Sequence, residues 1–195
     1  MTQLPMAQAL WPRRADAPSA ALGRDALLVL AFSLVTALSA QIALPLPFSP
    51  VPLTGQTFGV LLSGALLGPR LGAIAMLLYL AEGGLGLPFF AGGASGPARL
   101  LGPTGGYLLS YPLAAWITGA LAVRGWDRRP FTMLAAMLLG SLAIFALGAA
   151  QLSCFVGARN AVPMGVLPFL PGDVLKALLA AGLLPLGWKW IGRKE

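Results

Sequence analysis

The chain has 195 residues, of which 57% are hydrophobic and 10% are charged, and its formal net charge is +7. Because soluble domains are roughly a quarter charged, this composition indicates an integral membrane protein and excludes a separate soluble domain. One cysteine and no histidine exclude an intramolecular disulfide, a cysteine metal cluster, and catalysis or metal binding by histidine.

The first 24 residues contain no apolar run long enough for the core of a signal peptide. Three prolines interrupt this segment, and Arg13 and Arg14 add charge to it. We predict a cytoplasmic N-terminal tail over residues 1–24, with room for a short helix on the membrane surface. A membrane domain over residues 25–195 is predicted to follow it.

The rest of the chain alternates between apolar runs and short segments rich in proline, glycine or arginine, which end helices or form loops. A chain of this length holds about six spans of roughly 20 residues each. We therefore predict an all-α integral membrane protein, a bundle of six transmembrane helices with an outward ligand pocket. The predicted spans cover residues 25–44, 54–67, 71–87, 104–123, 131–155 and 173–191.

Small residues recur in the first predicted span, where Ser33 and Ala37 lie four positions apart. This spacing places them on one face of a helix and lets another helix approach closely. Two interpretations stay open: packing inside the same bundle, or docking to a partner subunit.

Two of the predicted loops have an unusual composition. Four prolines within residues 45–52 predict a stiff, extended loop, because proline fixes φ and removes a backbone donor. Residues 88–107 are rich in glycine, which permits close backbone approach. A nucleotide-binding loop is excluded, since the motif G-x-x-x-x-G-K-[ST] occurs nowhere in the chain.

The basic residues are distributed unequally between the two sides of the predicted bundle. Ten lysines and arginines lie on the side of the N-terminus, whereas Arg99 and Arg159 lie on the other, with Lys176 near the start of the last span. The positive-inside rule therefore predicts that both termini are cytoplasmic. The proline-rich loop, the glycine-rich loop and the start of the last helix then meet at the outer face.

This arrangement brings five polar side chains together in an apolar setting, as is typical of a small-molecule site. A carboxylate accepts N–H bonds and an ammonium donates to a carbonyl oxygen, so an acid and a base together suit a cyclic urea or amide. A guanidinium suits the carboxylate of an acid tail. The candidate binding residues are Gln56, Arg99, Tyr107, Asp173 and Lys176.

Each candidate also has a purely structural interpretation. Asp173 stands where a helix N-cap or a first-turn acid is favoured. Lys176, three residues later, could pair with it and extend to the membrane surface. Arg99 could be a solvated loop charge. Gln56 and Tyr107 could be helix-packing residues.

Several stretches, taken in order over about residues 25–190, resemble the BioY family, the biotin-binding S components of energy-coupling factor (ECF) vitamin transporters. They include Val51–Phe58 (VPLTGQTF), Gly86–Gly93 (GLPFFAGG), Leu101–Tyr107 (LGPTGGY) and Gly172–Lys176 (GDVLK). The resemblance implies a six-helix, multi-pass protein of the bacterial cytoplasmic membrane. Such a protein captures biotin with high affinity from the outer side for uptake.

The resemblance also implies roles for the candidate residues. Asp173 and Lys176 correspond to ligands of the biotin head group, and Arg99 lies in the loop that covers the ligand. Gln56 and Tyr107 match positions near the pocket. Catalytic residues, metal ligands and a cofactor are not expected.

Partners are implied in the same way. Ser33 and Ala37 fall where S components carry small residues for docking on a transmembrane coupling subunit, although this chain has serine at the first position. Two cytoplasmic ATPase subunits would supply the energy, unless the protein works without them, and no nucleic acid is expected. The alternatives are an S component for thiamine or riboflavin, or a non-transport membrane protein; an intramembrane enzyme is disfavoured because no histidine can activate a serine.

Overall fold

The computed structural model describes residues 3–13 and 17–192. Within them, six helices of twelve or more residues form a bundle, joined by shorter helices and one β-hairpin. One-turn 3-10 helices lie at Ala91–Gly93, Trp126–Arg128 and Leu167–Phe169. The other elements are α1 (Met6–Leu10), α2 (Pro18–Gln41), β1 (Ala43–Leu46), β2 (Ser49–Thr54), α3 (Gln56–Leu67), α4 (Pro69–Gly84), α5 (Pro97–Leu101), α6 (Gly105–Ala122), α7 (Pro130–Val156), α8 (Ala158–Gly165) and α9 (Leu170–Ile191).

Helix α6 lies at the centre of the bundle and packs against α3, α4 and α7. Helix α7 in turn packs against α8 and α9, and α2 packs against α3 and α4. Glycines bring these backbones into contact: a Cβ atom on Gly64 would lie 2.2 Å from the carbonyl oxygen of Ala115. Close backbone approach at small residues is how helices associate in a membrane, where burial of apolar side chains gives little preference over lipid.

Three stretches are long and apolar enough to cross a membrane: Pro18–Gln41, Pro130–Val156 and Ala158–Ile191. Large apolar side chains on these helices face outward, and Leu38 is 71% exposed and Leu142 62% exposed. An apolar surface of this extent is stable against lipid rather than water. The protein is therefore a mostly helical membrane protein.

Each predicted span corresponds to one of the long helices. The largest difference is at α2, which begins at Pro18, seven residues before the predicted start at residue 25. Proline is accepted there because the first helical turn needs no N–H donor. Helix α3 has 12 residues and is therefore about 18 Å long, short of the roughly 30 Å thickness of a hydrocarbon core.

The proline-rich segment forms a β-hairpin instead of an irregular loop. Its strands are antiparallel, with Ala43 opposite Thr54 and Leu44 opposite Leu53. The prolines are tolerated because each strand of a two-stranded ribbon has an unpaired edge, where no N–H donor is required. The all-α prediction thus holds for the bundle and fails for this connection.

The described part of the N-terminal segment packs on the bundle. Met6 is 6% exposed and its side chain lies against Gly187 of α9. The guanidinium of Arg24, itself 5% exposed, donates to the carbonyl oxygens of Trp11 at 2.7 Å and Ala7 at 2.8 Å. The short helix allowed by the sequence is present as α1. The division into a tail and a membrane domain stays a prediction.

Candidate functional site

All five candidate binding residues line a single cavity, at the end of the bundle where the hairpin meets the first turns of α3, α6 and α9. Gln56 is the first residue of α3, and Tyr107 lies in the first turn of α6. Asp173 and Lys176 lie at the start of α9, and Arg99 lies in α5. The structure therefore brings together residues that are up to 120 positions apart in the sequence (176 − 56).

Asp173 presents a buried carboxylate to this cavity, since the residue is 4% exposed and lines the cavity wall. Helix α9 begins at Leu170, and its N-terminus has no side-chain capping hydrogen bond within the described residues. Asp173 is therefore not the N-cap of α9, but it lies in the first turn of the helix, where an acid is also favoured. Ser141 of α7 lies beside the carboxylate. No ion pair involves Asp173 within residues 3–13 and 17–192.

Lys176 reaches across the cavity rather than pairing with Asp173. Its ammonium donates to the carbonyl oxygen of Thr54 at 2.7 Å and to the hydroxyl of Thr57 at 2.7 Å. These bonds join α9 to the end of the hairpin and the start of α3. The charge of the ammonium still acts on Asp173 electrostatically, although the two side chains form no salt bridge in the part of the chain that is described.

Gln56 is held by hydrogen bonds at both ends of its amide. Its oxygen accepts from the hydroxyl of Tyr111 at 3.1 Å and from that of Thr54 at 3.3 Å. Its nitrogen donates to the hydroxyl of Tyr79 at 2.6 Å, which itself donates to the carbonyl oxygen of Phe89 at 3.0 Å. This chain of hydrogen bonds connects the cavity wall with the glycine-rich segment above α4.

Tyr79 and Tyr111 are functional candidates that the sequence reasoning missed. They are 0% and 2% exposed, and their rings stack with centroids 6.2 Å apart. A buried tyrosine hydroxyl requires a hydrogen-bond partner. That requirement was a usable signal, because the chain contains only three tyrosines and all three lie inside apolar spans close to the cavity.

Tyr107, the third tyrosine, ties α6 to α8. Its hydroxyl donates to the carbonyl oxygen of Gly165 at 2.8 Å. A Cβ atom at Gly148 of α7 would lie 2.3 Å from the Tyr107 ring, and one at Gly165 would lie 2.3 Å from its hydroxyl. The two glycines therefore leave the space that the ring occupies.

Arg99 lies at the rim of the cavity, where its side chain is exposed. Gly96, which precedes α5, has φ of +90°, a conformation that glycine adopts without strain. This turn directs α5 over the cavity. Arg99 forms no ion pair among the described residues, so its guanidinium is available to a ligand or to water.

The two predicted docking residues lie inside the bundle. Ser33 is 0% exposed and Ala37 is 5% exposed. The hydroxyl of Ser33 donates to the carboxylate of Glu82 on α4. At these positions the structure shows packing inside the bundle, which is one of the two interpretations of the small-residue pattern. Docking to a partner stays a prediction.

The walls between the polar groups are apolar, and Phe90 and Phe169 are 2% and 7% exposed. No cluster of three or more potential metal ligands is found in the described ranges. A carboxylate, an ammonium and a guanidinium around an apolar cavity suit reversible binding of a small molecule that carries N–H groups, a carbonyl and an acid.

Comparison with known proteins points in one direction. The profile of the BioY family matches residues 12–193. A probable biotin transporter BioY from Pyrococcus horikoshii is 42% identical over 157 residues, which cover 80% of this chain and 91% of the relative. A biotin transporter BioY from Rhizobium etli is 36% identical over 167 residues, covering 81% and 89% of the two chains.

A solved structure gives the same relationship at the level of the fold. The crystal structure of the S component for biotin from an ECF-type ABC transporter superposes with a TM-score of 0.78 at 26% identity. The match covers 88% of this chain and 94% of that protein.

Proposed function

Because this chain belongs to the BioY family, we propose that it captures biotin in the cavity described above and takes it across the membrane as the substrate-specific subunit of an ECF-type transporter. It is a transport protein rather than an enzyme. One observation carries the proposal for the site: a buried acid, Asp173, and a partly buried base, Lys176, line one cavity with Arg99 at its rim.

The head group of biotin matches the inner end of the cavity. Its ureido ring offers two N–H donors and one carbonyl acceptor. The carboxylate of Asp173 accepts from an N–H in a charge-assisted hydrogen bond. Lys176 uses two of its three ammonium protons on Thr54 and Thr57, which leaves one proton for the ureido oxygen.

The acid tail of biotin matches the rim. A guanidinium binds a carboxylate with two parallel hydrogen bonds, and Arg99 is the exposed cation at this position. Phe90 and Phe169 offer apolar surface to the sulfur-containing ring and the tail. Gln56 keeps its amide engaged within the protein, so its proposed role is to hold the wall in place, while Tyr107 contributes its ring.

We further propose that the six long helices are all transmembrane, that the cavity faces outward, and that both termini are cytoplasmic. The ten-to-two distribution of basic residues supports this orientation. Residues 1–24 then form the cytoplasmic tail and residues 25–195 the membrane domain of a multi-pass protein of the bacterial cytoplasmic membrane. The β-hairpin that precedes α3 forms the part of the cavity wall that this short helix does not reach.

Transport against a gradient requires an energy source outside this chain, since its sequence contains no P-loop. We propose a transmembrane coupling subunit and two cytoplasmic ATPases as partners. Docking through Ser33 and Ala37 remains part of the proposal. Because both residues are buried against the bundle, such docking requires α2 to separate from α4 at that level.

Equilibrium binding of labelled biotin to the purified protein tests the site. Asp173→Asn and Lys176→Ala remove groups that form charge-assisted bonds, worth about 1.5–3 kcal/mol each, so we expect affinity to fall by about tenfold to a hundredfold. Arg159→Ala is the matched control, a basic residue of the same predicted side that does not line the cavity. Unchanged affinity for biotin in both site variants would refute the proposed site. Displacement of labelled biotin by thiamine or riboflavin would indicate that one of these vitamins is the substrate instead.

Uptake of labelled biotin in cells that lack every coupling subunit and ATPase tests the transport mode. Binding without uptake would identify a capture subunit that depends on its partners. Uptake in such cells would establish that the chain transports alone, and would refute the proposed requirement for ATPases.

A further inference from the structure

The end of the bundle opposite the proposed biotin cavity carries several exposed cations. The acid in their midst, Asp127, is 2% exposed and accepts a hydrogen bond from Nε1 of Trp188 at 2.5 Å. One of its two carboxylate oxygens is therefore engaged inside the protein. The exposed cations, none of which forms an ion pair in the described part of the chain, are Arg124, Arg128, Arg129 and Lys189.

One of these cations is held in a fixed position. The guanidinium carbon of Arg128 lies 4.2 Å from the ring centroid of Trp188, a cation–π stack that favours one rotamer of the arginine. The hydrogen bond to Asp127 fixes the indole in turn. Arg128 therefore presents its N–H groups from a prepared position, unlike a freely rotating surface side chain.

Arg128 also borders a cleft between the N-terminal segment and the end of α9. Leu4, Ala9 and Ile191 contribute apolar side chains to the lining of this cleft. Gln3 and Trp188 complete the lining near the cation. The cleft thus combines one cation with a lining of apolar and polar side chains.

The surroundings of the cleft are suited to contact with a membrane surface. Leu4 and Leu10 are each 57% exposed and Trp11 is 49% exposed, although the segment that carries them packs on the bundle. Exposed leucine and tryptophan side chains beside basic residues are typical of the boundary between lipid headgroups and acyl chains.

We propose that this cleft binds one anionic phospholipid, with its phosphate on Arg128 and an acyl chain along Leu4 and Ile191. A phosphodiester accepts two hydrogen bonds from a guanidinium. An acyl chain would remove the apolar surface of Leu4, Ala9 and Ile191 from water, which is favourable. Free phosphate would satisfy only the cation. The site lies at the opposite end of the bundle from the proposed biotin site and does not depend on biotin binding.

The test uses the full-length protein in mild detergent with dioleoylphosphatidylglycerol or dioleoylphosphatidylcholine. Native mass spectrometry counts retained lipid, and thermal unfolding reports stabilisation. Arg128→Gln is compared with Arg129→Gln, a neighbouring exposed arginine that does not line the cleft. We expect phosphatidylglycerol to bind at least about tenfold more weakly to Arg128→Gln and normally to Arg129→Gln.

Three results would overturn the proposal. If Arg128→Gln and Arg129→Gln lose phosphatidylglycerol binding equally, the attraction is diffuse and electrostatic. If the wild-type protein retains phosphatidylglycerol and phosphatidylcholine equally, the charge of the headgroup plays no role. Equal stabilisation by inorganic phosphate alone would mean an anion site without lipid. If Arg128→Gln does not fold, as judged by biotin binding, Arg128→Lys keeps the charge but loses the planar stack, and wild-type lipid binding in that variant would contradict the role of the guanidinium.

Discussion

The hydroxyl of Tyr79 is the point in the cavity wall where a one-atom change has the clearest expected effect. It accepts from Gln56 and donates to the carbonyl oxygen of Phe89. Tyr79→Phe removes this oxygen and keeps the ring, so the edge-on packing against Phe90, with centroids 5.7 Å apart, is retained. Any measured effect then belongs to the hydrogen bonds.

The magnitude follows from what the substitution leaves without a partner. A net loss of about 1 kcal/mol is usual per hydrogen bond, with more where a buried partner stays unsatisfied. Two bonds and two partners are affected, so we expect Tyr79→Phe to lower the free energy of unfolding by about 2–4 kcal/mol. Tyr111→Phe removes one bond, and the Gln56 oxygen keeps its contact with Thr54, so about 0.5–1.5 kcal/mol is expected.

The assay is unfolding of the purified protein in detergent, paired with biotin titration of each variant. Because Tyr79 connects Gln56 to the segment above the cavity, Tyr79→Phe is expected to weaken biotin binding by about tenfold, through loss of a preorganised wall. Tyr111→Phe is expected to weaken it less.

The double variant adds a second criterion. Tyr79 and Tyr111 share Gln56 as a partner, so their effects on stability should not be additive, with a coupling of at least about 0.5 kcal/mol. Equal effects of the two single substitutions, or strict additivity in the double variant, would refute the reasoning from shared hydrogen bonds.

Three further predictions concern other parts of the chain. Gly148→Ala places a methyl group 2.3 Å from the Tyr107 ring, so biotin titration should detect weaker binding while Gly182→Ala, at an open position, binds normally. Arg24→Met removes the bonds that fasten the N-terminal segment, so limited proteolysis should cleave residues 3–13 sooner than in Arg70→Met; equal rates would contradict this. Burial raises the pKa of the Asp127 carboxyl, opposed by the Trp188 hydrogen bond and the charge of Arg128, so its contribution to stability is present at low pH and is lost as pH rises through the folded-state pKa. Asp127→Asn should therefore raise Tm at pH 7, and the gain should shrink toward pH about 4; a constant gain at both pH values would be inconsistent with a titrating carboxyl.

The helices were predictable because each consists of an apolar run with proline, glycine or arginine at its ends. The connections were less predictable. The four prolines near residue 50 argue against helix but do not distinguish an extended loop from a hairpin, since both use extended backbone. Helix α8 lies where a loop was expected, because Pro163 and the short length of the segment conceal its helical pattern.

The candidate site was predictable as a set of residues but not as a set of contacts. The unequal distribution of lysines and arginines assigns the proline-rich loop, the glycine-rich loop and the start of the last helix to the same predicted side. This assignment is sufficient to predict that Gln56, Arg99 and Asp173 lie close together. The pairing of Lys176 with Thr54, 122 residues away in sequence, depends on the register of the hairpin. Local spacing favoured Asp173 instead, since residues i and i+3 are neighbours on a helix. Long-range hydrogen bonds of this kind follow from the assembled fold alone.

The contact between Met6 and Gly187 joins residues that lie 181 positions apart in the sequence (187 − 6). Helix α1 is synthesised before α9, so the side chain of Met6 can contact α9 only after the intervening chain has been made. Contacts of such high sequence separation are made late in folding because the intervening chain must be ordered first. A chain truncated before α9 would therefore lack this contact, while α1 would keep its packing against α3. The contact between Met6 and Gly187 is therefore present only in a bundle that includes α9.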